Sequence, residues 1–206
     1  MKQVPGKDEI ARMPLFTGLD LARIHVPQSA EAFAAAAAEI MAAGIVGFDT
    51  ESKPTFVTGE VSSGPHVVQF ALHDRAFLFQ THRAAGLPIL CELLAARRLL
   101  KVGFGLKSDH AHIRARLGVE LGGVVDLNQV FRQAGYQKEM GVRSAVALLF
   151  ARRFAKSRSV TTSNWSSRTL TPPQLLYAAN DAYAALKVLE ALELAPGELP
   201  VMGQGG

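Results

Sequence analysis

Asp49 and Glu51 close an apolar run, Gly47-Phe48-Asp49-Thr50-Glu51, with one residue between the two carboxylates. If the run is a strand, its period of two puts both on the same face. Like charges held side by side repel, and a cation between them removes the repulsion; hard Mg²⁺ prefers such oxygen ligands. Taken alone, the pair reads better as a solvated strand end than as a site. A third carboxylate, Asp109, ends the segment Lys101-Val102-Gly103-Phe104-Gly105-Leu106-Lys107-Ser108-Asp109, which reads as strand, glycine turn and helix start. Position 108 is serine where a dinucleotide fingerprint needs its third glycine, so a cofactor site is disfavoured. Asp109 is then either delivered beside Asp49 and Glu51 or simply well placed near a helix N-terminus. The fourth, Asp181, follows Tyr177 by four residues in Tyr177-Ala178-Ala179-Asn180-Asp181-Ala182, so a helix stacks the two on one face. Its small neighbours allow that helix to approach a sheet closely. The alternative is an ordinary half-buried tyrosine with an exposed aspartate.

The elements that must position these residues follow from periodicity. Ile24 to Val26 and Ile45 to Asp49 are β-branched runs flanking an alanine-rich helix, which Ser29 caps and Gly44 ends. A polar loop over Ser52 to Pro65 leads to His66–Leu72 and Ala76–Phe79, expected as an antiparallel hairpin. The sequence then predicts a helix at Pro88–Ala96, a strand at Leu99–Gly103, a helix at Leu106–Leu117, a strand at Val124–Asp126, and helices at Leu127–Gln133 and Val142–Phe150. A long last helix begins at Pro172, behind Thr171 as N-cap and with Gln174 in capping-box position, and runs to about Leu194 before Pro196 and Gly197. An antiparallel strand group, then alternating strands and helices, then a helical end predict an α/β fold. The expectation is a ribonuclease-H-like fold with a mixed β-sheet flanked by helices; a purely parallel doubly wound sheet is the alternative.

Composition narrows the function classes. The 206 residues, 49% of them hydrophobic, suffice for one well-buried core. The expected division is an N-terminal extension at 1–23, one catalytic domain at 24–195 and a tail at 196–206. Lys and Arg exceed Asp and Glu by 22 to 18, which suits an anionic partner. The single Cys91 excludes an intramolecular disulfide and a cysteine-rich zinc site. No signal peptide is visible in Met1 to Ile10, and Ala32 to Ala43 is too short to span a bilayer, so the expected setting is cytoplasmic. His110 and His112 lack a third ligand at zinc spacing and read as surface helix residues. Neither a nucleophile elbow nor a P-loop is present.

Together the three acidic segments resemble the Exo I, II and III motifs of the DEDD exonucleases, in the tyrosine subclass that includes ribonuclease D and the Werner-syndrome-type exonuclease domain. The resemblance spans roughly residues 44 to 192 and is strongest at Val46–Glu51, at Val102–Gly105 with Asp109, and at Tyr177–Tyr183. Ser163-Asn164-Trp165-Ser166 is more similar to the Werner-type branch. The histidine subclass would need a histidine where Leu176 stands. The resemblance implies that Asp49, Glu51, Asp109 and Asp181 hold two Mg²⁺ or Mn²⁺ ions and that Tyr177 orients the attacking water. Two ions about 3.5–4 Å apart would clamp the scissile phosphate for in-line displacement. With an ordinary pKa of about 10, a tyrosine is better suited to positioning water than to removing its proton. The implied activity is 3′-to-5′ hydrolysis to 5′-mononucleotides on single-stranded or 3′-recessed nucleic acid, with DNA favoured. A 3′-5′ exoribonuclease and an inactive nucleic-acid-binding module are the alternatives, and the presence of all four acids favours catalysis.

Phe104 and Trp165 are candidates to stack terminal bases, and Arg143, Arg152, Arg153, Lys156 and Arg158 to face phosphates. Each has a plainer reading: Phe104 as core, Trp165 as a loop anchor, the basic run from Arg152 to Arg158 as a solvated face. The aromatic found two residues after the second-motif aspartate in some Werner-type exonucleases is Ala111 here.

Overall fold

The computed structural model describes residues 3–55 and 62–202. Positions 56–61, in the middle of the loop expected over Ser52–Pro65, and positions 203–206 of the tail lie outside the described residues. Helix α1 spans Lys7–Arg12, strand β1 Ile24–His25, α2 Ala30–Ala43 and β2 Ile45–Glu51. The hairpin β3 (Val67–Ala71) and β4 (Ala76–Gln80) follows, then α3 (Leu87–Ala95), β5 (Leu100–Gly103) and α4 (Lys107–Leu117). Strand β6 (Val124–Asp126) runs directly into α5 (Leu127–Gln133). After it come α6 (Val142–Phe150), α7 (Arg158–Thr161), α8 (Pro172–Ala191) and β7 (Val201–Met202).

The sheet order is β1-β4-β3-β2-β5-β6-β7. Strand β2 pairs antiparallel with β3 on one side and parallel with β5 on the other. The sheet is therefore mixed, as expected, with helices on both faces. The purely parallel alternative fails at the β2-β3-β4 meander. Period-two alternation along β2 divides the layers. Val46 and Phe48 enter a core with Phe33, Ile40, Leu90 and Leu94 from α2 and α3. The opposite face lies against α8, whose Ala178, Ala179, Ala182 and Ala184 are fully buried. Phe70 and Phe79 meet edge-on at 5.6 Å, and Phe33 adds a ring 5.5 Å from Phe79. Each such buried aromatic contributes roughly 1.5–3 kcal/mol.

Caps stop the helices where the sequence indicated. Ser29 Oγ accepts from the Ala32 amide at 3.2 Å, and Gly44, at φ +70°, ends α2. The Thr171 amide donates to Gln174 Oε1 at 3.0 Å at the start of α8. Lys101 is buried in β5, and its Nζ donates to the carbonyls of Leu93, Ala96 and Leu99 at 3.0, 2.9 and 2.9 Å. Three ammonium donors thus meet three acceptors at the C-terminal end of α3, while burial pushes this group down to about 7.

Three short elements were not visible in the sequence: α1, α7 and β7. Six or fewer residues are too few to display a helical period, and β7 exists by pairing antiparallel with β6. The N-terminal segment is also packed onto the domain. The Leu19 amide donates to Asn180 Oδ1 at 2.6 Å and Asn180 Nδ2 returns a bond to the Leu19 carbonyl at 3.1 Å. The Arg153 amide donates to the Pro14 carbonyl at 2.8 Å, and the Phe16 ring sits 5.7 Å from Phe150.

Candidate active site

Asp49 and Glu51 point to the α8 side of β2, as the strand period requires. Asp181 comes down to them from α8, because the sheet at Gly47 has no side chain to hold that helix away. Single oxygens of Asp49, Glu51 and Asp181 lie within 4.8 Å of one another. Three carboxylates at that spacing cannot all ionise without compensation. Burial, then the charge of Asp181, holds the Asp49 carboxyl well above its usual range. The same two causes push Glu51 up to about 8. Asp181 is also raised by burial, against the opposing charge of Lys156.

The donor set fits a divalent ion on a second ground. Asp181 Oδ1 is buried with no hydrogen-bond partner. An acceptor left so is costly, and a hard cation is the ligand that an oxygen-only cluster satisfies. The other oxygen, Oδ2, accepts from Lys156 Nζ at 2.9 Å. That ammonium also lies 5.2 Å from the centre of the Tyr177 ring.

Asp109 arrives from the opposite layer. It stands on α4, and its Oδ1 accepts from the hydroxyl of Thr50, the residue between Asp49 and Glu51 whose side chain faces the other way. Burial raises its carboxyl, and the Thr50 hydrogen bond opposes the rise. It is thus tied to the same strand end but is not one of the three acids whose oxygens converge. The glycine turn before it is fixed by Asp126, which accepts from the amides of Gly105 and Leu106 at 3.0 and 3.1 Å.

Tyr177 lies one turn before Asp181 on α8. Its hydroxyl accepts from Thr161 Oγ1 at 3.0 Å. Burial, then the Asp181 charge, raises the phenol above its ordinary range, so it stays protonated at neutral pH. This favours a positioning role over proton abstraction.

The base-stacking candidates separate. Phe104 is half-buried, stacks on Phe131 with ring centres 6.5 Å apart, and lines a cleft of about 410 Å³ with Asp49, Lys156 and Asp181. Trp165 is only 1% exposed, with its ring 5.9 Å from Tyr177 and its Nε1 donating to the Thr161 carbonyl at 3.2 Å. The expectation that its ring stacks on a base is corrected: it braces Tyr177 and anchors its loop. Arg143 and Arg152 are exposed, whereas Arg153 is half-buried with its Nε buried and unpartnered. Within the basic run Lys156 turns inward to Asp181, which no local pattern indicates.

Sequence reasoning also passed over Gln69, the cross-strand partner of Asp49 on the α8 face. It is 0% exposed and both its amide atoms lack partners. A larger cavity of about 620 Å³, lined by Arg97, His110 and the 118–123 loop, contains none of the four acids.

A model of the 3′-5′ exonuclease family matches residues 24–195. A 3′-5′ exonuclease of Arabidopsis thaliana is 29% identical over 153 residues, 73% of this chain and 53% of that protein. The mouse bifunctional 3′-5′ exonuclease/ATP-dependent helicase WRN is 29% identical over 72% of this chain and 11% of its own length. The chain thus spans about half of one relative and about a tenth of the other. Among solved structures, the Aedes aegypti Nibbler EXO domain superposes with a TM-score of 0.73 at 21% identity, covering 87% of this chain and 94% of that one. Trypanosoma brucei RNase D in complex with RNA U12 superposes with a TM-score of 0.73 at 20% identity, covering 94% and 66%. These two establish the fold.

Proposed function

The chain belongs to the 3′-5′ exonuclease family, and from that premise we propose that it hydrolyses nucleic acid from the 3′ end to 5′-mononucleotides, with residues 24–195 as the catalytic domain. Residues 1–23 and 196–206 are its extension and tail. The observation that carries this reading is the convergence of Asp49, Glu51 and Asp181, with Asp49 and Asp181 lining a cleft and Asp181 Oδ1 buried and unpartnered. These three, joined by Asp109 from α4, would hold two divalent ions, Mg²⁺ or Mn²⁺. When bound, such ions polarise a phosphodiester and stabilise the oxygen that leaves.

The chain's own residues supply position. Tyr177, kept neutral and oriented by Thr161 and Trp165, holds its hydroxyl beside Asp181, where it can orient the attacking water. Phe104, which lines the cleft with Asp49 and Asp181, offers a ring face to a terminal base. Arg143 and Arg152 are exposed cations suited to phosphates. The fitting partner is a free 3′ end, single-stranded or recessed. No helix among the described residues is long and apolar enough to cross a membrane; a cytoplasmic setting is supported by the single Cys91.

DNA is the favoured substrate, on the likeness of Ser163–Ser166 to the Werner-type branch. RNA is the second reading, because a structural neighbour, T. brucei RNase D, was solved with RNA U12. Digestion of 5′-labelled DNA and RNA of one sequence, with Mg²⁺ or Mn²⁺ and with chelator, tests both. A ladder of shrinking products that chelator abolishes is expected. Immediate release of a 5′-labelled mononucleotide from long substrate would overturn the polarity, and the 2′-hydroxyl tolerance of the cleft is read from the ratio of the two rates.

A further inference from the structure

Lys156 lies in the connection between α6 and α7, and its side chain runs from solvent to a buried acid. Its side chain is 33% exposed, while the Asp181 side chain it meets at 2.9 Å is 3% exposed. It meets Asp181 and Tyr177, shares the cleft with Asp49, and its charge lowers the carboxyls of both Asp49 and Glu51. Burial is the largest single influence and would weaken this ammonium, but the charges and hydrogen bonds of Asp181 and Tyr177 together outweigh it and hold the group above its ordinary range. A flexible single cation therefore offsets part of the negative charge of a cluster whose geometry suits divalent ions.

We propose that Lys156 is a built-in cation of the metal-free site, one that holds Asp181 in place and competes with a divalent ion for its carboxylate. This rests on the reading of Asp181 as a metal ligand. An ammonium and a dication on one carboxylate repel strongly in a partly dry cleft, so loading requires Lys156 to withdraw. Its four-carbon stem and partial exposure give it room to do so. A phosphodiester entering the cleft offers the displaced ammonium a new anionic partner. Metal loading and substrate entry are thereby coupled, each favouring the other.

Titration calorimetry of the metal-free protein with Mn²⁺ tests the competition in wild type, Lys156→Gln, Lys156→Arg and Asp181→Asn, with melting in chelator alongside. Lys156→Gln is expected to bind Mn²⁺ about five- to tenfold more tightly than wild type, yet to melt lower in chelator because Asp181 has lost its partner. Lys156→Arg keeps the pair and should resemble wild type. Equal or weaker Mn²⁺ binding by Lys156→Gln, with binding lost in Asp181→Asn, overturns the competition and leaves the metal site standing. No Mn²⁺ binding by wild type overturns the site and the competition together. A second measurement needs no variant: saturating Mn²⁺ should speed acetylation of Lys156 by an activated ester, followed by peptide mass. Unchanged or slower labelling overturns the proposal.

Discussion

Gly47 lies directly beneath Ala182, so close that a Cβ at position 47 would stand 1.9 Å from the Ala182 carbonyl oxygen. The contact fixes how near α8 comes to β2. Asp49 lies two residues beyond this point on the strand and Asp181 one residue before it on the helix, so the same contact sets the spacing of the acids.

Gly47→Ala should therefore damage fold and site together. The obstructing atom is backbone and cannot rotate away, so the cost should reach or exceed the roughly 1–3 kcal/mol typical of overpacking. Each kcal/mol lowers the melting temperature of a domain this size by about 2–4 °C. Thermal melting checks it, and a variant that melts with wild type would show that α8 yields freely.

Removing an acid should separate activity from stability. Chelation, or Asp49→Ala, Glu51→Ala or Asp109→Ala, is expected to reduce hydrolysis about a thousandfold or more, since metal-held charge stabilisation amounts to several kcal/mol. In chelator, Asp49→Asn should melt above wild type, because one of three crowded carboxylates no longer repels the others. Normal turnover by Asp49→Ala would remove the acids from the mechanism.

Tyr177→Phe keeps the ring against Trp165 and leaves every carboxylate in place. Turnover should fall roughly ten- to a hundredfold with Mn²⁺ affinity unchanged, the pattern of an interaction made mainly in the transition state. Asp181→Ala, by contrast, should weaken Mn²⁺ binding as well. Full turnover in Tyr177→Phe would leave the tyrosine a packing role only.

The raised carboxyls give the metal-free protein an inverted pH profile. Glu51 is pushed up to about 8 from an ordinary 4.5, so the folded state keeps a proton that the unfolded chain has lost. That contribution to stability is fully present below 4.5 and is lost as pH rises through about 8. Asp49, Asp109 and Asp181 are raised too and act with the same sign. Lys101, pushed down to about 7, and His66 and His82, lowered from 6.5 by burial, act oppositely, so the acids meet least opposition in chelator just above 4.5, below the histidine range. The expected trend there is a falling melting temperature, with a gain from Mn²⁺ that grows as the acids ionise. A rise in chelator across that window would contradict the assignment.

The types and spacing of Asp49, Glu51, Tyr177 and Asp181, and the helices and strands that carry them, were legible in the sequence because each depends on short-range periodicity. A period of two pairs Asp49 with Glu51, a separation of four pairs Tyr177 with Asp181, and Ser29, Gly44 and Thr171 mark helix ends by local hydrogen bonding. Tertiary structure alone decided which residues meet these groups from far along the chain. Lys156 lies 25 residues from Asp181, and Thr50 meets Asp109 across 59. Asn180 grips Leu19 across 161, and Gln69 comes to lie beside Asp49 through the β2-β3 register. No periodicity encodes such partners, because they depend on the path of the whole chain and on which layer each element joins. Trp165 shows the same limit: an aromatic in a polar loop looks free to stack until the position of α8 encloses it.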